Sequence, residues 1–489
     1  MARLWFTVFI LALLAVPALS AERPNVLFIS VDDLNMNVGC YGDTIVKTPN
    51  IDRLASRGVR FDRAYCQYPL CNPSRASLMT GLRPDTIGVY DLGTNFRSTV
   101  PNIVTLPQLF RNNGYFAARV GKLYHYGVPR EIGTDGMDDP ASWDYTFNPL
   151  GRDKTEEEKL HVLTRGTGKG TIGFAMAWLD MEGSDEEQTD AIGVTHTIGL
   201  LEKHREQHGD KPFFIGMGFF RPHTPFVATR QWFEKYPLDS IKLPHVPEGD
   251  LKDIPDIALM IRPPNYGLDE KGLKQCVRGY IASVAALDAQ VGRLLEALER
   301  LKLADNTIVV FWSDHGFLLG EHGQWQKQML FEEANRVPLI ISAPGRKAAG
   351  GVAPGPVELL DVYPTLAELC GLKPPHELEG KSLAPLLDEP ATAWERPAFS
   401  QVTRRRDRRP IMGYSVRTDR WRYTQWGRNG AEGQELYDHE NDPKELTNLA
   451  ADPALANVVV QLAKLIEPHR ARFLARRAAQ AATTQVIQP

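Results

Sequence analysis

The sequence predicts an α/β fold in which a sheet buried on both faces lies between helices. Three short apolar segments rich in β-branched and aromatic residues, at residues 26–31, 213–220 and 307–313, indicate strands. Continuous apolar runs of this length are typical of strands in a parallel sheet that helices cover on both sides. Each run ends directly in polar residues rather than in an ordinary turn.

Helical patterns separate the predicted strands, which is the alternation expected of an α/β fold. They lie at residues 51–56, 106–112, 190–204 and 275–301. In the last of these segments, apolar residues recur every three or four positions, as on the buried face of a helix. In open α/β sheets ligands bind beyond the carboxyl ends of the strands, so the polar residues after the three strands are expected to converge at one edge.

The character of the sequence changes past about residue 374. Proline-rich connections lead to strand-like segments at residues 412–417, 421–426 and 435–438, and then to a helical pattern that includes Leu455 and Phe473. We therefore predict a catalytic domain over residues 22–374. A C-terminal subdomain over residues 375–489 would consist of a small antiparallel sheet and a terminal helix.

The overall charge does not indicate a nucleic-acid partner. The 489 residues include 56 basic and 60 acidic side chains, which leaves a net charge of -4. Hydrophobic residues make up 43% of the chain, enough for one large core with a smaller appendage. Recognition of an anion must therefore be local.

The amino terminus predicts export. After Arg3 an apolar run covers residues 4–16, and small residues at Ala18 and Ser20 precede a polar segment. This pattern is typical of a signal peptide, here over residues 1–20. The alternative, a membrane anchor, needs about 20 apolar residues, and the run is shorter. We expect a periplasmic, secreted or lysosome-like location, with no stable membrane insertion after cleavage.

The cysteines do not indicate a disulfide scaffold. Five of them, at positions 40, 66, 71, 276 and 370, are too few and too scattered along the chain. The odd number suits one special cysteine and four others, which are thiols or form at most two bridges. Their pairing does not follow from the sequence.

Acidic residues at two strand ends indicate a metal site. Asp32 and Asp33 follow the first predicted strand, and Asp314 and His315 follow the third. As isolated residues, the aspartates could cap a helix or lie in a solvated turn. Three converging carboxylates would repel one another unless a cation lay among them, and their hard oxygens favour calcium or magnesium over zinc. His315 is an unusual ligand for so hard an ion.

Cys71 lies at the start of a predicted helix, because Pro73 and the residues after it are typical of a first turn. A group at this position faces unpaired backbone N–H donors, which favour an anion. A buried structural thiol is the alternative for a lone cysteine. A soft thiolate is a poor partner for a hard cation, so oxygen chemistry at this position would suit the predicted metal better.

The segment Cys-Asn-Pro-Ser-Arg at residues 71–75, followed by Thr-Gly-Leu-Arg-Pro at residues 80–84, resembles the signature of type I sulfatases. The resemblance covers nearly the whole mature chain and is closest to the iduronate-2-sulfatase subgroup. Further similar motifs lie at residues 31–34, 39–43, 83–86, 120–122, 222–226, 313–316, 320–325 and 412–418. The resemblance implies an alkaline-phosphatase-like mixed sheet sandwiched by helices, with a C-terminal α+β subdomain of four antiparallel strands and a helix.

The resemblance also implies cofactors and partners. In this family the cysteine is oxidised after translation to formylglycine, whose hydrate supplies an oxygen nucleophile and a metal ligand. Cys71 would be converted by a formylglycine-generating or sulfatase-maturating enzyme. One Ca²⁺ per chain, with Mg²⁺ less expected, would bind Asp32, Asp33, Asp314, His315 and the modified Cys71. A histidine at the position of His315 is typical of iduronate-type enzymes.

Catalytic roles follow from the same resemblance. Arg75 would orient the nucleophile, and Lys122 and Lys327 would bind the sulfate. His223 would protonate the departing sugar oxygen, and His125 would take a proton from the second hydroxyl so that sulfate is expelled. Without the resemblance, each would be interpreted as a solvated charge or a satisfied polar group. The expected function is hydrolysis of a sulfate ester on a sugar of a sulfated polysaccharide or oligosaccharide.

Some alternatives stay open at the level of sequence. The chain could be a phosphonate or phosphate monoester hydrolase of the same superfamily, or an inactive protein that binds sulfated glycans. The basic run at residues 404–409 is either a solvated loop or a rim of the substrate pocket. Trp325 and Trp426 either stack on sugar rings or pack in the core. Residues 131–187 and the C-terminal subdomain are expected to recognise the sugar linkage.

Overall fold

The computed structural model describes residues 23–164, 173, 175–407 and 409–486 of the chain. The predicted signal peptide at residues 1–20 lies outside these residues. None of the helices within the described ranges has both the length and the apolar composition that crossing a bilayer requires.

The described part of the chain forms eighteen strands and twelve α-helices. The strands are β1 (Asn25–Asp32), β2 (Val59–Tyr65), β3 (Phe116–Gly121), β4 (Tyr145–Phe147), β5 (His161–Val162), β6 (Ala177–Met181), β7 (Phe213–Pro222), β8 (Phe226–Thr229), β9 (Thr307–Ser313), β10 (Leu318–Leu319), β11 (Trp325–Gln326), β12 (Arg336–Val337), β13 (Leu339–Ser342), β14 (Val352–Glu358), β15 (Ala398–Arg406), β16 (Arg409–Arg417), β17 (Trp421–Trp426) and β18 (Gly433–Asp438). The helices are α1 (Pro49–Arg57), α2 (Cys71–Thr80), α3 (Pro84–Ile87), α4 (Phe96–Thr99), α5 (Leu106–Asn112), α6 (Arg152–Thr155), α7 (Thr189–His208), α8 (Arg230–Glu234), α9 (Glu270–Arg300), α10 (Glu332–Asn335), α11 (Val362–Leu369) and α12 (Ala456–Val486).

Nine strands form the main sheet, in the order β12-β2-β13-β9-β1-β7-β3-β4, and β14 also pairs with β2. The central strand β1 runs parallel to both β7 and β9, and β3 runs parallel to β7. The direction reverses at β13, which is antiparallel to β9 and to β2. The mixed sheet that the sequence predicts is therefore confirmed.

Side chains of the central strands alternate between two apolar clusters. In β1, Leu27, Ile29 and Val31 pack in one cluster with residues of α1, α7 and α9. Val26 and Phe28 pack in the other cluster with residues of α2, α5 and α11. Each such side chain stabilises the fold by about 1.5–3 kcal/mol through burial. Burial of both faces explains why these strands are continuous apolar runs in the sequence.

The predicted helices are confirmed, and most extend beyond the predicted bounds. The segment 106–112 coincides with α5, where the Thr105 side chain and Gln108 form a capping box. The segment predicted at 275–301 corresponds to α9, which begins five residues earlier and is capped by Asp269. The polar first turn of α9 carries little apolar periodicity, so the pattern alone places its start too late.

The C-terminal region also has the predicted architecture. Strands β15, β16, β17 and β18 form a four-stranded antiparallel sheet in chain order. Tyr414, Val416 and Leu436 of this sheet pack against Leu462 and Ile466 of α12. The domain boundary at residues 374 and 375 stays a prediction.

The structure decides between the alternatives that the sequence leaves open for the basic run and for the two tryptophans. Arg404 and the two arginines after it end β15, and Arg409 begins β16, so these residues of the basic run form a hairpin rather than a solvated loop. Trp325 and Trp426 are fully buried. Their indole N–H groups donate to Asn265 Oδ1 at 2.8 Å and to Glu435 Oε2 at 2.7 Å. Both rings pack in the core, and neither is available to stack on a sugar.

Candidate active site

Four parallel strands bring polar residues to one edge of the main sheet. Asp32 ends β1, Lys122 follows β3, His223 follows β7 and Asp314 follows β9. Because β1 runs parallel to β7 and β9, and β3 to β7, the carboxyl ends of all four strands lie at this edge. The convergence that the sequence predicts is present.

Cys71 is the first residue of α2, and its side chain lies among cationic groups. Its Sγ lies 3.2 Å from Lys327 Nζ, 3.4 Å from His315 Nε2 and 4.0 Å from Asp33 Oδ1. Burial opposes a thiolate, but Lys122 and Lys327 together lower the pKa of Cys71 to about 6. The position therefore favours a negatively charged group, as the start of a helix does in general.

Each carboxylate at the edge has a cationic partner. The pairs are Asp32 Oδ2 with Lys122 Nζ at 2.5 Å, Asp33 Oδ1 with Lys327 Nζ at 2.5 Å, and Asp314 Oδ2 with Arg75 Nε at 2.8 Å. All these side chains are buried. Although burial opposes its ionisation, the pKa of Asp32 is held well below its usual range by Lys122. A buried charge without a partner is costly, so the pairing lets three carboxylates share one edge.

Arg75 joins the carboxylates to the strands beneath them. Its Nη1 donates to Ser30 Oγ at 2.9 Å and to the carbonyl oxygens of Lys122 and Leu123 at 2.7 and 3.0 Å. Its Nη2 lies 3.3 Å from Asp32 Oδ1. The fully buried guanidinium thus holds both the carboxylates and the segment that carries Lys122. Arg75 has no hydrogen bond to Cys71 in the described contacts, so any orientation of the nucleophile is indirect.

The edge can hold a cation. Asp32, Asp33, Cys71 and His315 each present one ligand atom, and these atoms lie within 4.8 Å of one another. The fully buried Asp33 Oδ2 has no hydrogen-bond partner among the described residues, and burial raises the pKa of Asp33. An unpaired carboxylate oxygen in so polar a cluster fits a hard divalent cation. Asp314 lies beside this group, with Oδ1 accepting the backbone N–H of Asp33 at 3.1 Å.

His315 is oriented towards the same point. Its Nδ1 lies 2.9 Å from the carbonyl oxygen of Gly316, which leaves Nε2 facing the cluster. Nε2 is 3.3 Å from Asp33 Oδ1 and 3.6 Å from Asp314 Oδ2. Burial favours the neutral ring, but Asp314 raises the pKa of His315 to about 9. A bound cation would compete with this proton for Nε2.

The two other predicted histidines differ in their contacts. His223 Nδ1 lies 2.5 Å from the carbonyl oxygen of Thr224, and Nε2 lies 3.7 Å from Asp33 Oδ2. Burial and then Lys327 lower the pKa of His223 to about 4. His125 Nδ1 has no hydrogen-bond partner among the described residues. Burial and the charge of Lys122 lower the pKa of His125 to about 3, so its ring is neutral.

Comparison with known families shows to which family the chain belongs. A sequence model of the sulfatase family matches residues 24–372, which is most of the chain. The chain belongs to the sulfatase family. A second model, of the C-terminal region of N-sulphoglucosamine sulphohydrolase, matches residues 320–472 of this sulfatase. The protein is therefore a sulfuric ester hydrolase.

Known proteins resemble the sulfatase over most of its length. Iduronate 2-sulfatase of Homo sapiens is 36% identical, over 88% of this chain and 92% of the human protein. A 2-O GAG sulfatase is similar in structure, with a TM-score of 0.70 and 26% identity, over 94% of both chains. The phosphonate monoester hydrolase of Agrobacterium radiobacter has a TM-score of 0.74 and 25% identity, over 92% of this chain and 96% of the other.

A cleft of about 770 Å³ opens beside Cys71 of the sulfatase. Cys71, His125, His223 and Lys327 line it, whereas Lys122 is fully buried and reaches Asp32 instead. The walls include Asn95, Tyr126, Arg130, Glu131, Asp138, Lys154 and Glu157. We term this cavity the active-site cleft. About half of the wall residues come from the region that the sequence assigns to linkage recognition, residues 131–187, and the others lie between residues 92 and 130.

The structure adds one residue that no sequence pattern indicates. Tyr280 of α9 is fully buried, and its hydroxyl donates to the carbonyl oxygen of Asp33 at 2.8 Å. The same hydroxyl accepts the backbone N–H of Asn35 at 2.8 Å. Asp33 has a φ of 65°, a conformation that costs energy for a non-glycine residue. Tyr280 therefore stabilises the turn that presents the Asp33 carboxylate.

Proposed function

We propose that this sulfatase is an exported, exo-acting enzyme that removes sulfate from a sugar of a sulfated polysaccharide or oligosaccharide. A 2-O-sulfated uronic acid is the first candidate. The main support is the position of Cys71, at the start of α2 and in contact with Lys327 and His315 beside the cleft. The similarity to iduronate 2-sulfatase and to a 2-O GAG sulfatase favours this class of substrate.

Cys71 is proposed as the precursor of formylglycine. The hydrate of that aldehyde has two hydroxyl groups, whereas a cysteine or serine side chain has one group that can react. The helix start and the lysines that lower the pKa of the Cys71 thiol to about 6 would also stabilise an oxyanion at this position. A side chain without a second hydroxyl would stall once it carried the sulfate.

One Ca²⁺ is proposed to bind Asp32, Asp33, Asp314, His315 and the modified residue 71, with Mg²⁺ less expected. The close approach of ligand atoms of Asp32, Asp33, Cys71 and His315 supports this set, as does Asp33 Oδ2, which has no hydrogen-bond partner among the described residues. Asp314 is included because it lies beside them. When bound, the ion would polarise a sulfate oxygen and stabilise negative charge.

Sulfate binding is proposed for Lys122 and Lys327; Lys327 lines the cleft, whereas Lys122 lies buried behind it against Asp32 and would act on the sulfate through its charge. Both ammonium groups pair with carboxylates at 2.5 Å. Arg75 pairs with the third carboxylate, so the charges of these three pairs balance. An added divalent cation makes the site positive, which suits an anionic ester and the charge that develops at its oxygens. Arg75 is proposed as a positioning residue that fixes Asp32 and Asp314.

The first chemical step transfers the sulfuryl group to residue 71. One hydroxyl of the hydrate, which has already lost its proton to solvent because the lysines and the helix start stabilise its oxyanion, attacks sulfur. The bond from sulfur to the sugar oxygen breaks, and the imidazolium of His223 gives its proton to that oxygen. Burial, with the charge of Lys327, lowers the pKa of the His223 ring to about 4. Negative charge on a bound ester favours the imidazolium form, so substrate binding itself would raise this pKa.

The second step releases sulfate. His125 takes the proton of the second hydroxyl, the bond between carbon and the sulfate oxygen breaks, and the aldehyde forms again; water then restores the hydrate. Burial and Lys122 lower the pKa of His125 to about 3, so its ring is neutral, and the negative charge of the bound sulfate would raise this pKa and favour proton uptake. The Nδ1 of His125 has no hydrogen-bond partner among the described residues, which supports this nitrogen as the proton acceptor.

The proposal is tested on the protein from its native host. Peptide mass spectrometry of the segment around residue 71 should show a loss of about 18 Da, the mark of cysteine converted to formylglycine. The same preparation should hydrolyse a 2-O-sulfated uronic acid disaccharide and lose activity when a chelator removes the metal. An active protein that carries only unmodified thiol, or a fully active Cys71→Ser variant, would contradict the mechanism.

Phosphonate hydrolysis is the second candidate, because the phosphonate monoester hydrolase has the same fold with a TM-score of 0.74. Turnover of an aryl sulfate and of an aryl phosphonate by one preparation distinguishes the two. Binding of a sulfated glycan without turnover, by protein shown to carry formylglycine, would instead support the inactive binding protein.

Export predicts that the mature chain begins just after residue 20, which amino-terminal sequencing checks.

A further inference from the structure

A second cavity lies on the C-terminal sheet, and it shares no lining residue with the active-site cleft. Its volume is about 310 Å³. Its arginines are Arg406, Arg409, Arg428 and Arg470, and its apolar residues include Ile411, Met412, Tyr414, Phe473 and Leu474. Among the described residues that line it, Glu432 is the one carboxylate. We term this cavity the arginine groove.

The arginine groove carries cationic groups that the fold does not neutralise. Arg406 pairs with Glu432, and Arg470 donates to Asn429 Oδ1. The guanidinium groups of Arg409 and Arg428 are exposed and form no ion pair with the described residues. Their planar N–H groups fit the paired oxygens of a sulfate or a carboxylate. The excess of positive charge favours an anionic ligand.

The remaining wall of the groove is apolar. Leu474 is 52% exposed, and Phe473 packs edge-on against Tyr90 with their ring centroids 5.9 Å apart. Binding sites for organic ligands combine an apolar surface with a few placed polar groups. A sugar that carries a sulfate or a carboxylate has both features, since its C–H faces are apolar and its substituents are anionic.

One connection between the groove and the cleft runs through residues 90–93. Tyr90 contacts Phe473 of the groove, and Leu92 and Gly93 line the active-site cleft. Only one residue separates Tyr90 from Leu92, so this short segment contacts a residue of the groove at one end and lines the cleft at the other.

A second connection runs along β15. Arg404 donates to the carbonyl oxygen of Gln328, the neighbour of Lys327 in the cleft. Arg406, which lines the groove, follows two residues later, about 7 Å farther at the usual rise of a strand. The basic run at residues 404–409 thus extends from the surroundings of Lys327 to the groove.

We propose that the arginine groove binds an anionic sugar of the same glycan chain, at a distance from the sugar whose sulfate is removed. This inference builds on the proposed function, because it takes the substrate to be a sulfated oligosaccharide. An exo-acting enzyme holds the terminal sugar in its cleft, and the rest of the chain must leave along the surface. Arg409 and Arg428 are the groups available to bind it there.

The test compares two double variants that each remove two positive charges. Arg409→Gln with Arg428→Gln alters the groove, and Lys203→Gln with Arg205→Gln alters an exposed part of α7 as a control. The substrates are a heparin hexasaccharide with a terminal 2-O-sulfated uronic acid and the disaccharide with the same terminal residue. For the groove variant we expect KM for the hexasaccharide to rise about tenfold, with kcat unchanged. The disaccharide should be cleaved as by the wild type.

Binding is measured separately from turnover. In a Cys71→Ala background, fluorescence anisotropy with the labelled hexasaccharide should show Kd about tenfold higher for the groove variant than for the control. Equal Kd values, an equal change in the control, or an equal loss for the disaccharide would overturn the proposal. The proposal would also be overturned if the groove variant lost binding to phosphatidylglycerol vesicles but bound the hexasaccharide as tightly as the control does. If the groove variant weakens binding of the hexasaccharide while the matured protein cleaves neither substrate, that result would contradict the proposed function but would support the groove as a binding site.

Discussion

The floor and the walls of the active-site cleft are stabilised in opposite ways. On the floor, Asp32 and Arg75 are fully buried, and each has two charged partners: Asp32 pairs with Arg75 and Lys122, and Arg75 pairs with Asp32 and Asp314. On the walls, the Arg130 side chain is 75% exposed, and its charged partner is the adjacent Glu131. Removing one member of a buried pair costs about 3–5 kcal/mol, whereas an exposed pair contributes about 0–1 kcal/mol.

Because of this difference, we expect the floor to determine the reaction and the walls to determine which substrates bind. A change on the floor leaves a buried charge without a partner, so it affects both folding and reaction. A change at an exposed wall residue such as Arg130 removes a solvated side chain, so it affects what the cleft binds more than it affects folding. The walls can therefore adapt to different glycans on one catalytic floor.

The largest effect is expected at Cys71. We predict that Cys71→Ala lowers turnover of an aryl sulfate by at least about a thousandfold, because the nucleophile is lost. The melting temperature should change little, since the side chain is small. Cys276→Ala is the matched control: this cysteine is fully buried in α9, away from the cleft, so folded protein should keep its activity. Turnover above a tenth of the wild-type value in Cys71→Ala would refute the prediction.

The next effect concerns folding. Arg75→Met should lower the free energy of unfolding by about 3–5 kcal/mol, because Asp314 loses its 2.8 Å partner while staying buried. Urea denaturation followed by circular dichroism measures this change. The control Arg130→Met should shift the free energy by less than about 0.5 kcal/mol. Similar values for the two variants would mean that floor and walls do not differ as described.

A smaller effect is expected behind the floor. Tyr280→Phe removes the hydroxyl that contacts the Asp33 carbonyl and the Asn35 N–H, so the turn at Asp33 loses two hydrogen bonds. Titration calorimetry should show calcium affinity reduced about tenfold, as is typical when a group that orients a metal ligand is removed. Tyr124→Phe, which removes a buried hydroxyl 2.9 Å from Ser142 Oγ, controls for loss of stability alone. Unchanged calcium affinity in Tyr280→Phe would show that the hydroxyl is only structural.

The smallest effect is expected on the walls. Lys154→Gln should raise KM for a sulfated oligosaccharide about threefold and leave the hydrolysis of an aryl sulfate unchanged, since the lysine lines the cleft but contacts no floor residue in the described structure. Lys159→Gln is the control, because Lys159 pairs with Glu156 at 2.6 Å outside the cleft. A fall in kcat for the aryl sulfate would place Lys154 with the floor instead.

The sequence predicts the elements of the floor because their signals are local. A buried strand is a continuous apolar run, and its end is marked by the polar residue that follows, as at Asp32 and Asp314. Once the strands are taken as parallel, their carboxyl ends must meet. The start of α2 at Cys71 is equally local, since the residues after it are typical of a first helical turn.

The remaining features depend on contacts between distant segments. Arg75 turns towards Asp314, 239 residues away, and Tyr280 reaches Asp33 across 247 residues. No local pattern encodes these directions, because they depend on how helices pack on the sheet. Trp426 shows the same limit: an aromatic residue on a strand suits a sugar platform and a core equally until its neighbours are known.

The burial of α2 has a consequence for the biosynthesis of the enzyme. All ten residues of the helix, from Cys71 to Thr80, are buried in the folded protein. If Cys71 is oxidised as proposed, the maturation enzyme would have to reach this segment before the chain folds, because the folded protein buries it. Oxidation and folding would then compete in time. A variant that folds faster would leave less time for oxidation, so a smaller fraction of its molecules would become active.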